Sequence, residues 1–311
     1  MDFASAYHAP VMVEEVMSFL RPERGGVFLD GTLGGGGHAE ALLERAPDAR
    51  LIGVDRDPDA LAEAGRRLER FGGRARLVRS AFGEAVETAG VAEGTLDGVL
   101  LVLGISSHQI DESERGFTFR AGAPLDMRMG QASAGEPSAA DLLNEWDEAE
   151  LANVFYRYGE EKRSRKLARI IVEMREAEPF RASDQLVVAV RRTLGPRSDA
   201  GDLARIFQAL RIAVNREIEQ LETALTKFRD ALAPGGVFAI LSYHSLEDRL
   251  VKNAFRDWSR ACTCPPGLPV CICGGVPRGE TLARKAITAS QVEIERNVRA
   301  RSARLRAWRH A

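Results

Sequence analysis

The chain has 311 residues, 45% of them hydrophobic and only 6% aromatic, with a formal net charge of -2. It can bury a full core as one large domain or two ordinary ones, and it reads as a soluble globular protein. Nothing in it approaches membrane-spanning length, and the first twenty residues carry Asp2, Glu14 and Glu15, so neither a signal peptide nor a membrane anchor is expected.

The first strand-like run, 27–30, enters a turn of Gly31, Thr32, Leu33, four glycines at 34–37 and His38, and the helical pattern 39–43 follows. Glycines at such a turn let a ligand approach the backbone and allow positive φ, while the helix start offers unpaired N–H groups. A tight strand-to-helix connection without a ligand is the plainer alternative, but four consecutive glycines cost much chain entropy. Further runs at 51–55, 75–79 and 98–103 alternate with helical stretches such as 58–71, the rhythm of a parallel α/β sheet. A fifth run at 236–242 follows a helix stop and turn at 232–235. Roughly a hundred residues separate runs four and five, too many for a crossover and too patterned for a loop. Helical patterns at 139–146, 148–158, 163–177, 183–194 and 202–232 make this interval a small all-α domain inserted into the α/β domain. The expected division is 1–112, 113–213 and 214–311.

Two acids close strands. Asp30 ends the first and Asp55 the second, where a carboxylate can hold a ribose 2′-hydroxyl and repel a 2′-phosphate. Gly34, Gly36, Ala39 and Asp55 formally satisfy a dinucleotide fingerprint, which keeps an NAD-dependent oxidoreductase as a remote alternative. An acid on strand one before a looser glycine turn, as in Asp30, Thr32, Gly34 and Gly36, instead fits an S-adenosylmethionine site, where Asp30 can organise the turn and the cofactor's cationic end.

After the fourth run come Gly104-Ile105-Ser106-Ser107-His108-Gln109, Arg115-Gly116-Phe117-Thr118-Phe119-Arg120 and Pro124-Leu125-Asp126-Met127-Arg128-Met129. Ser242-Tyr243-His244-Ser245-Leu246-Glu247-Asp248-Arg249 follow the fifth. With His8-Ala9-Pro10-Val11, Tyr158-Gly159-Glu160-Glu161, Phe207-Gln208-Ala209-Leu210-Arg211-Ile212 and Arg299-Ala300-Arg301-Ser302-Ala303, these closely resemble the bacterial RsmH/MraW family, the methyltransferases of N4 of cytidine 1402 in 16S rRNA. The resemblance covers nearly the whole chain. It implies a class I S-adenosylmethionine-dependent methyltransferase fold, Rossmann-like and mainly parallel, with 16S rRNA or the small ribosomal subunit as partner, no DNA or membrane partner, and an open oligomeric state. It also implies S-adenosyl-L-methionine contacts at Gly36, Gly37, His38, Asp55, Phe82 and Gln109. Phe82 can pack on adenine and the glycine amides can meet the methionine carboxylate.

Three positions depart from the family pattern: Val102 stands for an Asp among the cofactor contacts, His108 for Pro and Gly130 for Asp. Loss of a hydrogen-bonded carboxylate costs about 1.5 to 3 kcal/mol, roughly tenfold to a hundredfold in affinity, unless another group such as His108 replaces it. The corresponding alternative function is a degenerate member that binds RNA without turnover. On the substrate side, Ser107 and His244 are the candidate contacts, the first among hydrogen-bond acceptors and the second as a ring for an extruded base.

From 296 to 309 the chain carries six arginines and no acid. This basic tail suits RNA phosphates, or a solvated helix face. Cys262, Cys264, Cys271 and Cys273 fall together, which fits a reducing, cytoplasmic compartment. Four thiolates could hold structural Zn²⁺, although zinc pairs are usually spaced by about two to four residues; no metal ligand is assigned, and a reduced loop, or one with opportunistic disulfides, is the alternative.

Overall fold

The computed structural model describes residues 10–131, 135–262, 264, 272–273 and 275–311. His8, Ala9, Cys271 and the Pro265-Pro266-Gly267 segment lie outside the described residues. The chain divides into two compact units, one of Met1–Gly104 with Glu219–Ala311 and one of Ile105–Ile218. The second is wider at both ends than the 113–213 read from sequence.

In the first unit eight strands form one sheet: β1 (Gly26–Asp30), β2 (Ala49–Asp55), β3 (Ala75–Arg79), β4 (Leu96–Val102), β5 (Leu232–Ser242), β6 (Gly279–Thr281), β7 (Ile287–Thr288) and β8 (Arg304–His310). Their order is β3-β2-β1-β4-β5-β8-β6, with β7 also on β8. The first five pair in parallel. β8 runs antiparallel to both β5 and β6. Parallel strands buried on both faces explain the near-continuous apolar runs. Phe28, Leu100, Ala239 and Leu241 pack on one side, with helices Val13–Leu20 and Gly37–Arg45. Leu29, Val99, Leu101, Phe238 and Ile240 alternate with them and pack on the other side, with helices Glu217–Ala231 and Ser245–Trp258.

Two local readings are corrected. The turn at 232–235 is not outside the strand: Leu96 pairs with Leu232 and Gly98 with Val237, so Pro234 and Gly235 bulge out between two paired stretches of β5. The C-terminal arginines are not a free tail either. β8 is an inner strand, and its alternation sends Leu305 and Ala307 into one core layer and Trp308 into the other. Arg306 is only 9% exposed and chelates Asp248 through Nε at 2.7 Å and Nη2 at 3.1 Å. Arg309 pairs with Glu280.

The second unit is helical around Leu151, Phe155, Leu167, Ile171, Ile206 and Leu210. Its helices are Ala139–Glu145, Glu148–Arg157, Ser164–Ala177, Ser183–Leu194 and Ala200–Asn215, and the side chains of Ser138, Asp147 and Asp199 cap three of them. The single helix expected over 202–232 is broken at Arg216, which sits at φ 51°. Asn215 explains the stop. Its Oδ1 accepts from Met129 N–H at 2.8 Å and its Nδ2 donates to the Met127 carbonyl at 2.7 Å, fixing the helix end to the loop before it.

Candidate methyl-donor site

The strand order reverses at β1, between β2 and β4, and ligands of open α/β sheets bind outside the strand ends at such a point. Asp30 and Val102, the last residues of β1 and β4, both lie there. The loop after β1 is held by side chains as much as by its own backbone. Thr32 N–H donates to Asp30 Oδ1 at 3.1 Å, and Val102 N–H donates to Thr32 Oγ1 at 2.6 Å, linking the two strand ends. Gly34 N–H donates to Asp55 Oδ2 at 2.8 Å, while Asp57 N–H donates to Asp55 Oδ1 at 2.9 Å. Organisation of the glycine turn, assigned to Asp30 from sequence, is therefore shared with Asp55. Thr32 is the functional residue sequence reading passed over, although it stands within the acid-and-glycine pattern.

The glycines divide by purpose. Gly34 is at φ 52°, and among the described residues a Cβ there would meet nothing within 4 Å. Gly36 is at φ 78° and a Cβ would touch Ala64 at 3.3 Å, while one on Gly37 would come 2.9 Å from Pro10. These two glycines serve close packing of the helix start.

His38 turns inward. It is 7% exposed, and its Nε2–H donates to the Val11 carbonyl at 2.9 Å, so the ring ties the helix Gly37–Arg45 to the N-terminal segment. Asp30 and His38 share a small cavity lined otherwise by Leu20, Phe28, Leu42, Leu51 and other apolar groups. That burial favours both neutral forms, pushing the Asp30 carboxyl up to about 7 and the His38 imidazole down to about 4. Asp55 is pushed up to about 6, again chiefly by burial, against the lowering effect of the Asp57 and Gly34 N–H groups. Phe82 opens the turn after β3, half-buried, with its Cβ 3.5 Å from where a Cβ on Gly31 would stand.

Ser107 and Gln109 belong to the second unit, on the short helix Ser107–Asp111. Gln109 is 7% exposed, its Oε1 accepts from Ser106 N–H at 3.0 Å, and its own N–H donates to Ser106 Oγ at 3.2 Å. This reciprocal cap fixes the segment after Gly104. His244, in the first unit, is the N-cap of Ser245–Trp258; its side chain is 9% exposed and its Nε2 lies 3.0 Å from Glu247 Oε1. Its Nδ1 faces the Glu247 N–H at 3.5 Å, which places the ring beside the helix start. Glu247 Oε2 also accepts from Tyr243 N–H at 3.0 Å.

A parallel sheet whose order reverses at an acid-tipped strand and a glycine loop, and in which the strand next to β5 runs antiparallel, is a Rossmann-like methyltransferase fold; the dinucleotide-binding order continues with parallel strands. The sequence matches the MraW methylase family over residues 5–311, and the chain belongs to that family. It is 53% identical over 307 residues to the ribosomal RNA small subunit methyltransferase H of Gemmatimonas aurantiaca, covering 98% of this chain and 96% of that one. The proteins of the same description from Heliobacterium mobile and Symbiobacterium thermophilum are 49% and 46% identical, over 96% and 97% of this chain and 97% and 96% of theirs. The protein is thus a methyltransferase, and its methyl donor is S-adenosylmethionine. The oxidoreductase reading falls away. Among the described residues no helix is long and apolar enough to cross a membrane.

Proposed function

We propose that this protein methylates N4 of cytidine 1402 in 16S rRNA of the small ribosomal subunit, in the cytoplasm. The observation that carries the reading is the family match over residues 5–311, with relatives described as small-subunit rRNA methyltransferases along nearly their whole length.

The first unit fits the donor. The turn at Gly34 admits a carboxylate-bearing ligand to backbone N–H groups at a helix start. Asp55 accepts from the Gly34, Asp57 and Arg56 N–H groups, and a remaining carboxylate lone pair can take a ribose hydroxyl. Asp30 supplies a negative charge for a cationic ligand. Phe82 offers a ring face for adenine. Gly36 and Gly37 act through packing of the turn, and Gln109 through the cap that shapes the segment after β4.

Bound S-adenosylmethionine supplies an activated methyl on sulfur. The exocyclic amine of cytosine is a weak nucleophile because its lone pair is delocalised into the ring. The protein's task is to align nitrogen, methyl carbon and sulfur, and to accept the amine's hydrogens as the nitrogen pyramidalises. Such acceptors belong at the carboxyl ends of the strands; in sequence, Ser107 is the candidate that follows β4. No strong base is required.

Labelled donor incubated with small subunits lacking the modification tests the reading: label enters 16S rRNA in intact subunits. Transfer to DNA, or none to RNA despite measurable donor binding, would overturn it.

A further inference from the structure

Beyond helix Ser245–Trp258 the chain makes an excursion before returning to the sheet edge as β6. Its two arms meet at the base. Arg278 N–H donates to the Trp258 carbonyl at 2.9 Å, and a Cβ on Gly275 would stand 2.2 Å from the Ala261 carbonyl oxygen. Burial does not explain this closure, since Ile272 is 79% and Val276 80% exposed. An excursion whose described apolar side chains stand in solvent gains from a cross-link at its base.

Three cysteines stand at that base. The Sγ atoms of Cys262, Cys264 and Cys273 all lie within 4.8 Å of one another. Cys262 and Cys273, one on each arm, are 3.8 Å apart at sulfur. Thiolates bound to one Zn²⁺ at about 2.3 Å in a tetrahedron have sulfurs about 3.8 Å apart, whereas a disulfide would require about 2.05 Å. From 261 to 277 the sequence has no carboxylate and no histidine, so the donors are thiolates alone, a set that suits zinc.

We propose that Cys262, Cys264 and Cys273 form a structural zinc site that staples the two arms of this excursion. This reverses the sequence expectation of no metal ligand. The short spacing of Cys262 and Cys264 is no obstacle, because both sulfurs already face Cys273. On binding, each thiol gives its proton to solvent, three Zn–S bonds form, and no electron is transferred.

The full-length protein, purified without added metal under reducing conditions, is analysed for zinc by mass spectrometry. It is then stripped and titrated with Co²⁺, beside Cys264→Ser and Cys273→Ser. The expected result is one zinc per chain, thiolate-to-cobalt charge-transfer absorption in the parent, and loss of both in the variants, with S-adenosylmethionine binding retained as evidence that they fold. Substoichiometric zinc with no charge-transfer band in the parent, equal zinc in the variants, or an intact mass lowered by a disulfide would overturn it.

Discussion

Asp55 and Gly34 are joined across the mouth of the sheet: the glycine N–H donates to the carboxylate at 2.8 Å, fixing the loop after β1 to the end of β2. The acid assigned to the ribose also builds the loop beside it. Asp55→Ala therefore removes two functions, and we expect at least tenfold weaker S-adenosylmethionine binding by calorimetry with a loss of about 1–3 kcal/mol in denaturant unfolding. Asp55→Asn, which keeps one acceptor oxygen, should lose less stability than affinity. Equal donor affinity in Asp55→Ala and parent would contradict the account.

Asp30 makes donor binding depend on pH. Its carboxyl, pushed up to about 7, is protonated in the empty site at mildly acid pH, and a cationic ligand favours the ionised form. Affinity should rise by up to about tenfold per pH unit toward 7 and level off above it, with proton release visible as buffer-dependent calorimetric heat. Asp30→Asn should weaken binding at pH 8 and flatten the profile. A flat profile in the parent would remove Asp30 from the cationic end of the site.

The same groups give the donor-free fold opposing pH slopes. Asp30 is raised above the ordinary carboxylate value, so the native state holds its proton longer than the unfolded chain, and this contribution fades as pH rises from about 4 to about 7. Asp55 acts in the same sense up to about 6. His38 is depressed to about 4, and its contribution fades as pH falls from 6.5 toward 4. Thermal melting of Asp30→Asn should show a gain in Tm over the parent at pH 8 and little difference at pH 4.

Val102 is half-buried at the end of β4, its N–H held by Thr32, beside the loop that Asp30 and Asp55 organise. Val102→Asp places a carboxylate at the position where the resemblance read from sequence implies one. Donor affinity should rise about tenfold to a hundredfold, corresponding to about 1.5–3 kcal/mol. Unchanged calorimetric affinity would mean that another group already fills this role.

Arg306 and Asp248 form a buried bidentate pair within the supposed RNA-binding stretch. Removing Arg306 leaves the buried Asp248 carboxylate with the longer contact to the half-exposed Arg304 at 3.5 Å, so Arg306→Ala should cost up to about 3–5 kcal/mol in unfolding experiments. Arg306→Met with Asp248→Leu should recover much of that.

The sheet was legible because its parallel strands are apolar on both faces, and Asp30 and Asp55 were legible as acids closing two of those strands. What escaped depends on distant residues. The antiparallel pairing of β8 with residues 237–242 turned an arginine-rich tail into an inner strand, and no local spacing announces Arg306's partner at 248. Arg216 breaks a continuous helical pattern only because Asn215 is bound to the backbone of Met127 and Met129. His38 and His244 stood in the right motifs, but packing turned one ring to Val11 and bound the other to a helix start.

Nucleotide-resolution mass spectrometry of 16S rRNA, after incubating unmodified small subunits with the protein and deuterated S-adenosylmethionine, tests the central claim most directly. A single deuterated methyl is expected on N4 of cytidine 1402, absent with Asp55→Ala. A methyl on another atom or nucleotide, or an unlabelled cytidine 1402 under conditions where the donor is bound, would contradict it.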